Sequence, residues 1–123
     1  MSKTAYELPR TMWNMYKPFN QVREEDALKS IKAEAFKIAY AIKQELVSRF
    51  RANRVMLFGS LSRNDFKKHS DIDIAVWGIS PADFYKAVAF VTGISKNWEV
   101  NLVDADDCSS SLLDTILKEG IEL

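Results

Sequence analysis

The amino-acid sequence predicts an α/β (α+β) fold, with a small mixed β-sheet covered by helices and preceded by a long amphipathic helix. Apolar residues recur at spacings of three and four over about 24–52, which is the period of one buried helix face. Two apolar runs, 54–58 and 71–77, each stop at a glycine and are typical of strands. Helix and strand patterns then alternate along the chain, and this alternation favours one sheet packed against helices.

The predicted first helix, 24–52, carries charges that match its dipole. Three acidic residues, 24–26, lie in its first turn, and Arg49 and Arg51 lie in its last. Asn53 is the predicted terminator. The apolar stripe is expected to pack into the core, and it consists of Leu28, Ile31, Ala35, Ile38, Ile42, Leu46 and Phe50.

The segment before this helix, residues 1–22, is rich in aromatic side chains. Pro9 and Pro18 are expected to prevent a long helix there. We predict an aromatic strap laid over the core, and the alternative is a docking arm for a partner. The aromatic residues are Tyr6, Trp13, Tyr16 and Phe19.

The remaining residues, 54–123, contain the other elements of the predicted core. A glycine, Gly120, is expected to stop the last helix. In order, the predicted elements are a strand over 54–58, a Gly59-Ser60 turn with a short helical segment, a strand over 71–77, a helix over about 81–92 with Phe84, Val88 and Val91 facing inward, a strand over 98–104 and a helix over about 109–119.

Size and composition indicate one globular domain spanning 1–123. The chain is 47% hydrophobic and 28% charged, as in ordinary soluble proteins, and it is long enough for a single core. No apolar stretch reaches the roughly 18 residues needed to span a bilayer, so no membrane association is expected. The N-terminus lacks a signal-peptide pattern, and the single cysteine, Cys108, allows no internal disulfide. A cytoplasmic location is therefore expected.

The net charge of the chain is zero, but the basic and acidic residues are unevenly distributed along it. Residues 1–54 contain 11 Lys and Arg against 6 Asp and Glu, a net charge of +5. Residues 55–123 contain 6 against 11, a net charge of −5. The basic half could face phosphates, nucleic acid or an acidic partner, although solvated helix faces often have this composition.

The most informative pattern in the sequence joins the two predicted strands of residues 54–77. Gly59-Ser60 ends the first strand, and Asp71 and Asp73 lie within the second, separated by one apolar residue. Side chains alternate between the faces of a strand, so the two carboxylates project from the same face and can reach one cation. Hard divalent cations such as Mg²⁺ bind through one or two carboxylates and the phosphates of a substrate.

The Gly59-Ser60 turn supplies what a phosphate needs, namely backbone N–H groups and a hydroxyl at the point where a helix can begin. Taken alone, an Asp-x-Asp pattern is more often a solvated strand edge or a helix cap, and a Gly-Ser pair is usually only a turn. Their combination, each attached to its own hydrophobic strand, predicts a metal-dependent nucleotide site.

At these residues the chain resembles the minimal nucleotidyltransferases of the DNA polymerase β-like superfamily. Their signature is a hydrophobic strand, Gly-Ser, a connecting loop and Asp-hydrophobic-Asp-hydrophobic. The resemblance extends from about residue 30 to 123 and implies the polymerase β-like nucleotidyltransferase fold, with 54–123 as the catalytic core. It depends on Gly59-Ser60, Arg63, the run Ser70-Asp71-Ile72-Asp73-Ile74 and the chain ending 116–123.

In the resembled family, divalent metal ions lie between the nucleoside triphosphate and three carboxylates. The resemblance assigns the first two carboxylates to Asp71 and Asp73, with Mg²⁺ or Mn²⁺ as the cofactor. Arg63 could add charge to the phosphate site, or it could be an exposed helix cation. The resemblance implies that the nucleotide is bound by Gly59, Ser60, Arg63 and Ser70.

The third carboxylate is where this chain departs from the family pattern. The matching position on the third strand is Asn101, which brings no charge and cannot accept a proton. Glu99 shares a face with Asn101, whereas Asp104 lies on the opposite face unless a bulge intervenes. Either residue could substitute, and the sequence leaves that choice open. His69, the single histidine, could be a general base but is expected to be exposed.

Two functions follow from the resemblance. The first is an enzyme that transfers a nucleoside monophosphate, most simply AMP from ATP, to a hydroxyl acceptor, with a tyrosine of a HEPN toxin partner as one candidate acceptor. The second is a nucleotide-binding antitoxin that neutralises its partner by contact alone, because Asn101 occupies the third-carboxylate position. DNA polymerase activity is disfavoured, since 123 residues leave no room for a template-binding domain. A homo-oligomer is left open.

Overall fold

A computed structural model of the protein describes residues 16–67 and 70–123, with the side chains of the first helix described from residue 26. This helix, α1, covers Tyr16–Phe50. It begins earlier than the predicted residue 24, and Pro18 does not prevent it. Pro18 is the third residue of the helix, where the missing N–H would have no intrahelical partner. The acidic residues 24–26 therefore do not lie in the first turn, and residues 1–15 of the predicted strap lie outside the described residues.

The chain divides into two compact units, residues 1–31 and 32–123. In the first unit, the described residues from 16 onwards are helical and belong to α1. The exposed fraction of Leu28, which was expected to be buried, is 41%. In the second unit, the rest of α1 buries four side chains at intervals of three and four, namely Ala35, Ala39, Ile42 and Leu46.

The end of α1 differs from the prediction. The helix ends at Phe50, and Arg51 adopts a left-handed conformation with a φ of 62°. The chain then reverses, and the N–H of Ala52 donates to the carbonyl of Leu46 at 3.1 Å. Asn53, the predicted terminator, lies beyond the end of the helix. An arginine at a positive φ is uncommon, so the local sequence does not indicate that the helix ends at this residue.

Four strands form one mixed sheet, and they are β1 at Arg54–Phe58, β2 at Ile72–Trp77, β3 at Val100–Asp104 and β4 at Ile121–Glu122. Their order across the sheet is β3-β2-β1-β4. Strand β1 pairs antiparallel with β2 and with β4, and β2 pairs parallel with β3. The mixed sheet and the helix that precedes it confirm the predicted fold class.

Helix α2 covers Pro81–Thr92 and helix α3 covers Ser110–Glu119, close to their predicted bounds. The hydroxyls of Ser80 and Ser109 each accept a hydrogen bond from a backbone N–H in the first turn, which is the role expected of N-cap serines. The third strand starts at residue 100 instead of 98. In α2, Val91 is buried as predicted, but Phe84 and Val88 are only half-buried.

The core of the second unit lies between the sheet and its helices. Leu57 of β1 and Ile72 and Ile74 of β2 are fully buried, and Ile116 of α3 packs with Met56 of β1. Each strand that leads to the predicted site is therefore held by apolar burial, which stabilises its position. Among the helices that the structure describes, none combines the length and the apolar content needed to cross a bilayer.

Candidate functional site

The predicted site begins where β1 ends, at Gly59. The φ of this residue is +78°, a conformation that glycine adopts without steric cost. A Cβ atom built on Gly59 would lie 2.2 Å from Oδ2 of Asp73, far closer than any real contact allows. The turn and the second carboxylate therefore meet directly, and only the absence of a side chain at residue 59 permits it.

The residues after Gly59 form hydrogen-bonded turns in place of the predicted short helix. The carbonyl of Gly59 accepts from the hydroxyl of Ser62 at 2.8 Å and from the N–H of Arg63 at 3.1 Å. The carbonyl of Ser60 accepts from the N–H of Asp65 at 3.1 Å. Both carbonyls are thus bonded within the turn, and the chain is folded tightly beside Asp73.

Asp71, Asp73 and Asn101 come together across the parallel strands β2 and β3. Asp73 is the register partner of Asn101 in β3, and it is also the partner of Phe58 in β1. The side-chain Nδ2 of Asn101 donates to Oδ2 of Asp71 at 3.2 Å and to Oδ1 of Asp73 at 3.0 Å. One neutral amide therefore bridges the two carboxylates that the sequence predicts as metal ligands.

The electrostatics of this group centre on Asp73, whose side chain is half-buried. Burial raises the pKa of Asp73 above its ordinary value, because the charged form loses hydration. The hydrogen bond from Asn101 opposes this increase, the negative charge of Asp71 adds to it, and the guanidinium of Arg63 opposes it again. Burial therefore has the largest effect, and the pKa of Asp73 stays above its ordinary value despite the amide and the guanidinium.

This raised pKa predicts that Asp73→Asn stabilises the protein against unfolding at neutral pH without divalent cations. The unfolded chain has the lower pKa for Asp73, so unfolding releases a proton between the two pKa values. Stability therefore falls as the pH rises through that range, and the full loss is present above it. Urea unfolding in EDTA at pH 7 measures the free energy of unfolding of both forms.

The control for this measurement is Asp83→Asn, which removes an exposed carboxylate from α2. We expect no gain in stability from that control. The advantage of Asp73→Asn should disappear when the pH falls below the ordinary pKa of an aspartate, where residue 73 is neutral in both states. An equal advantage at acid and neutral pH would contradict the electrostatic explanation.

The other predicted nucleotide-binding residues, Arg63 and Ser70, lie in the loop between β1 and β2. The Arg63 guanidinium is exposed and lies 3.4 Å from a carboxylate oxygen of Glu119 and 3.6 Å from one of Asp65. The hydroxyl of Ser70 accepts from the N–H of Lys67 at 2.9 Å, so it shapes the loop that precedes Asp71. The pairing of Arg63 with Glu119 joins distant parts of the chain, and no local sequence signal indicates it.

The two acidic residues that could replace Asn101 have different positions. Glu99 precedes β3, where its carbonyl accepts from the N–H of Ile72 at 2.9 Å and its side chain is exposed. Asp104 is the register partner of Val76, and its Oδ1 accepts from the N–H of Asp106 at 3.1 Å. Asp104 thus lies three residues beyond Asn101, on the opposite face of the strand, and it stabilises the turn that follows β3.

Within residues 26–67 and 70–123, no group of three or more His, Cys, Asp or Glu side chains is arranged to hold a metal ion. Asp71 and Asp73, with the oxygen of Asn101, are the donors that the site can offer. His69 lies outside the described residues. Sequence reasoning placed Asn101 at the site, but it missed the hydrogen bonds from this amide to both carboxylates, which depend on the pairing of β2 with β3.

Comparison with known proteins identifies the family and the fold. The family model of polymerase beta nucleotidyltransferases matches residues 40–123. No curated protein matches the chain in sequence. A solved minimal nucleotidyltransferase is 25% identical, with a TM-score of 0.55 over 78% of this chain and 95% of that chain.

Two further solved structures share the fold, and both are toxin–antitoxin structures. A mutant of the MntA-HpeT toxin–antitoxin is 26% identical, with a TM-score of 0.57 over 68% of this chain and 69% of that chain. A toxin–antitoxin solved with AMP-PNP is 23% identical, with a TM-score of 0.57 over 67% of this chain and 69% of that chain. The family model covers most of the chain, and this protein therefore belongs to the polymerase beta nucleotidyltransferase family.

Proposed function

We propose that the protein is a metal-dependent nucleotidyltransferase that transfers a nucleoside monophosphate, most simply AMP from ATP, to a hydroxyl group. The hydroxyl oxygen would bond to the α-phosphorus, the bond from that phosphorus to the bridging oxygen of the β-phosphate would break, and pyrophosphate would leave. The observation that carries this proposal is the direct contact between the Gly59 turn and the carboxylate of Asp73, with Asp71 bridged to Asp73 by one amide. A phosphate-binding turn beside two carboxylates suits phosphoryl transfer, which depends on charge neutralisation and alignment. Membership of the nucleotidyltransferase family supports the same reaction class.

The donor set fits a hard divalent cation such as Mg²⁺ or Mn²⁺. Asp71 and Asp73 lie close enough for one amide to contact both, and the charge of Asp71 contributes to the raised pKa of Asp73. A cation would relieve this repulsion, and Mg²⁺ commonly binds two carboxylates together with substrate phosphates. Asp71 and Asp73 would hold the ion, which when bound neutralises negative charge on the phosphates.

The nucleotide phosphates would lie at the turn after β1. Gly59 has no side chain to block their approach, and the half-buried Ser60 follows with a hydroxyl that can donate. Arg63 belongs to the same turn and is close enough to Asp73 to lower its pKa. Ser70 contributes by holding the loop that leads to Asp71. A solved relative of the same fold contains AMP-PNP, an ATP analogue, which supports a triphosphate as the ligand.

We expect tight ATP binding to require the cation and both carboxylates. Calorimetry of ATP binding in Mg²⁺ should give a measurable affinity that is lost in EDTA and in the double variant Asp71→Asn/Asp73→Asn. The matched control, Asp83→Asn/Asp114→Asn, removes two exposed helix carboxylates and should bind as the wild type does. Equal ATP affinity with and without Mg²⁺ would refute the metal-dependent site.

The acceptor of the nucleotidyl group is proposed to be a hydroxyl of a helical HEPN-type toxin, such as a tyrosine. The MntA-HpeT toxin–antitoxin, at 26% identity, supports a toxin as the partner, and the HEPN class comes from the family resemblance. The protein would then act as an antitoxin that modifies its toxin. A cytoplasmic location suits this role and stays a prediction, and a homo-oligomer stays open.

A second function is favoured by one observation. Asn101 is neutral and already donates to both carboxylates, so a contact-only antitoxin that binds nucleotide without transferring it is the alternative. ATP labelled on its α-phosphate, incubated with the purified protein and a co-purified partner, distinguishes the two. Label on the partner supports the enzyme. Unlabelled partner in a complex with nucleotide-loaded protein supports the contact-only antitoxin.

A further inference from the structure

The amide of Asn101 lies between the two carboxylates whose charge the proposed cation would neutralise. Its Nδ2 donates to Asp71 and Asp73 at 3.2 and 3.0 Å, and this nitrogen carries two protons, one for each acceptor. Hydrogen bonds to a charged acceptor are stronger than those between neutral groups. In the protein without a cation, the amide therefore offsets part of the repulsion between the two carboxylates.

The orientation of the amide follows from the same charges. If Oδ1 faced the carboxylates, three oxygen atoms would meet without a proton between them, and the arrangement would be repulsive. A divalent cation reverses this preference, because it binds oxygen and repels the positive end of the N–H bonds. The amide occupies Oδ2 of Asp71 and Oδ1 of Asp73, so a cation that takes these two oxygens would break both hydrogen bonds, and the amide would have to rotate about χ2 or move away.

We propose that Asn101 competes with the cation for Asp71 and Asp73. In the cation-free protein the amide holds these two carboxylates together, and this weakens cation binding. The inference depends on the proposed metal site at these two carboxylates. In the cation-bound state a water molecule can replace the Asn101 oxygen, since Mg²⁺ usually retains several waters. Loss of the side chain then affects the bound state little, whereas it removes stabilising hydrogen bonds from the free state.

The test is the affinity for Mg²⁺ alone, measured by calorimetry on the wild type, on Asn101→Ala and on Asn101→Ser. Both variants should bind Mg²⁺ at least about tenfold more tightly than the wild type, which corresponds to the loss of one hydrogen bond to a charged acceptor. Circular dichroism of both variants should match that of the wild type, so that a change in affinity does not reflect unfolding. The matched control, Asn97→Ala, truncates an exposed asparagine and should leave the affinity unchanged.

A second measurement follows the amide itself. The side-chain NH₂ signals of Asn101, identified by their absence in Asn101→Ala, should exchange with water about tenfold faster when Mg²⁺ is bound, because their acceptors are lost. The signals of Asn97 in the same spectrum are the reference. Unchanged exchange, or weaker binding by Asn101→Ala, would overturn the competitor role. If the wild type binds Mg²⁺ no better than Asp71→Asn/Asp73→Asn does, the metal site itself is wrong, and this inference fails with it.

Discussion

Replacing Asn101 with aspartate is expected to raise the rate of nucleotidyl transfer by about 10²–10⁴-fold, the usual contribution of a general base. Asn101 is the register partner of Asp73 and contacts the carboxylates of Asp71 and Asp73. An aspartate at residue 101 would therefore place a third carboxylate beside these two. This carboxylate would act as the general base, because it would accept the proton of the attacking hydroxyl. Affinity for the nucleotide at saturating Mg²⁺ should therefore stay within a few-fold of the wild type.

Single-turnover transfer from ATP to the co-purified partner measures this effect. The control Asn97→Asp adds the same charge at an exposed position near β3 and should not change the rate. A fast wild type that is not improved by Asn101→Asp would mean that another acid, such as Glu99, already acts as the base. If neither form transfers the nucleotide to a partner that it binds, the contact-only antitoxin is favoured.

Replacing Gly59 with alanine is expected to reduce ATP affinity at least about 100-fold. The new Cβ would lie 2.2 Å from Oδ2 of Asp73, so the carboxylate must move away from the turn. The φ of +78° also becomes strained, at about 1–2 kcal/mol for a residue with a Cβ atom. The displaced carboxylate would disturb the predicted cation position, and relief of the backbone strain would move the turn at which the phosphates are predicted to bind. Gly59→Val should have the same effect more strongly.

Calorimetry of ATP binding in Mg²⁺ tests this expectation, with circular dichroism to confirm that the variant is folded. Gly93→Ala is the matched control, because a Cβ there meets only the carbonyl of Phe90 at an ordinary 3.6 Å. This control should bind ATP as the wild type does. Wild-type affinity in Gly59→Ala would show that the phosphates bind elsewhere and that the turn is only a connection.

Elements with local signals were predicted well from the sequence. The strands β1 and β2 are apolar runs that end at glycines, and α2 starts at a serine N-cap followed by proline. The predicted start of α1 was wrong because Pro18 was expected to prevent a helix, whereas a proline is tolerated in the first turn. The short strand β4 was missed because two residues show no periodicity, and its pairing with β1 is a long-range contact.

The candidate site shows the same division between local and long-range information. The closeness of Asp71 and Asp73 follows from strand alternation, and the sequence predicted it. The contact of Gly59 with Asp73 depends on the antiparallel register of β1 and β2, and the role of Asn101 depends on the parallel register of β2 and β3. Neither register can be read from local sequence. The sequence left open a bulge that would bring Asp104 to the face of Asn101, and the unbroken pairing of β2 with β3 contains none.

The sheet topology also has a consequence for the order in which the protein folds. Antiparallel β1 and β2 meet when residues 59–71 close a loop, whereas β3 reaches β2 only through residues 78–99, which include α2. The entropy lost on closing a loop grows with its length, and local pairings form earlier than distant ones. The glycine turn and both carboxylates should thus assemble before Asn101 arrives. A divalent cation present during refolding would meet the two carboxylates before the amide does.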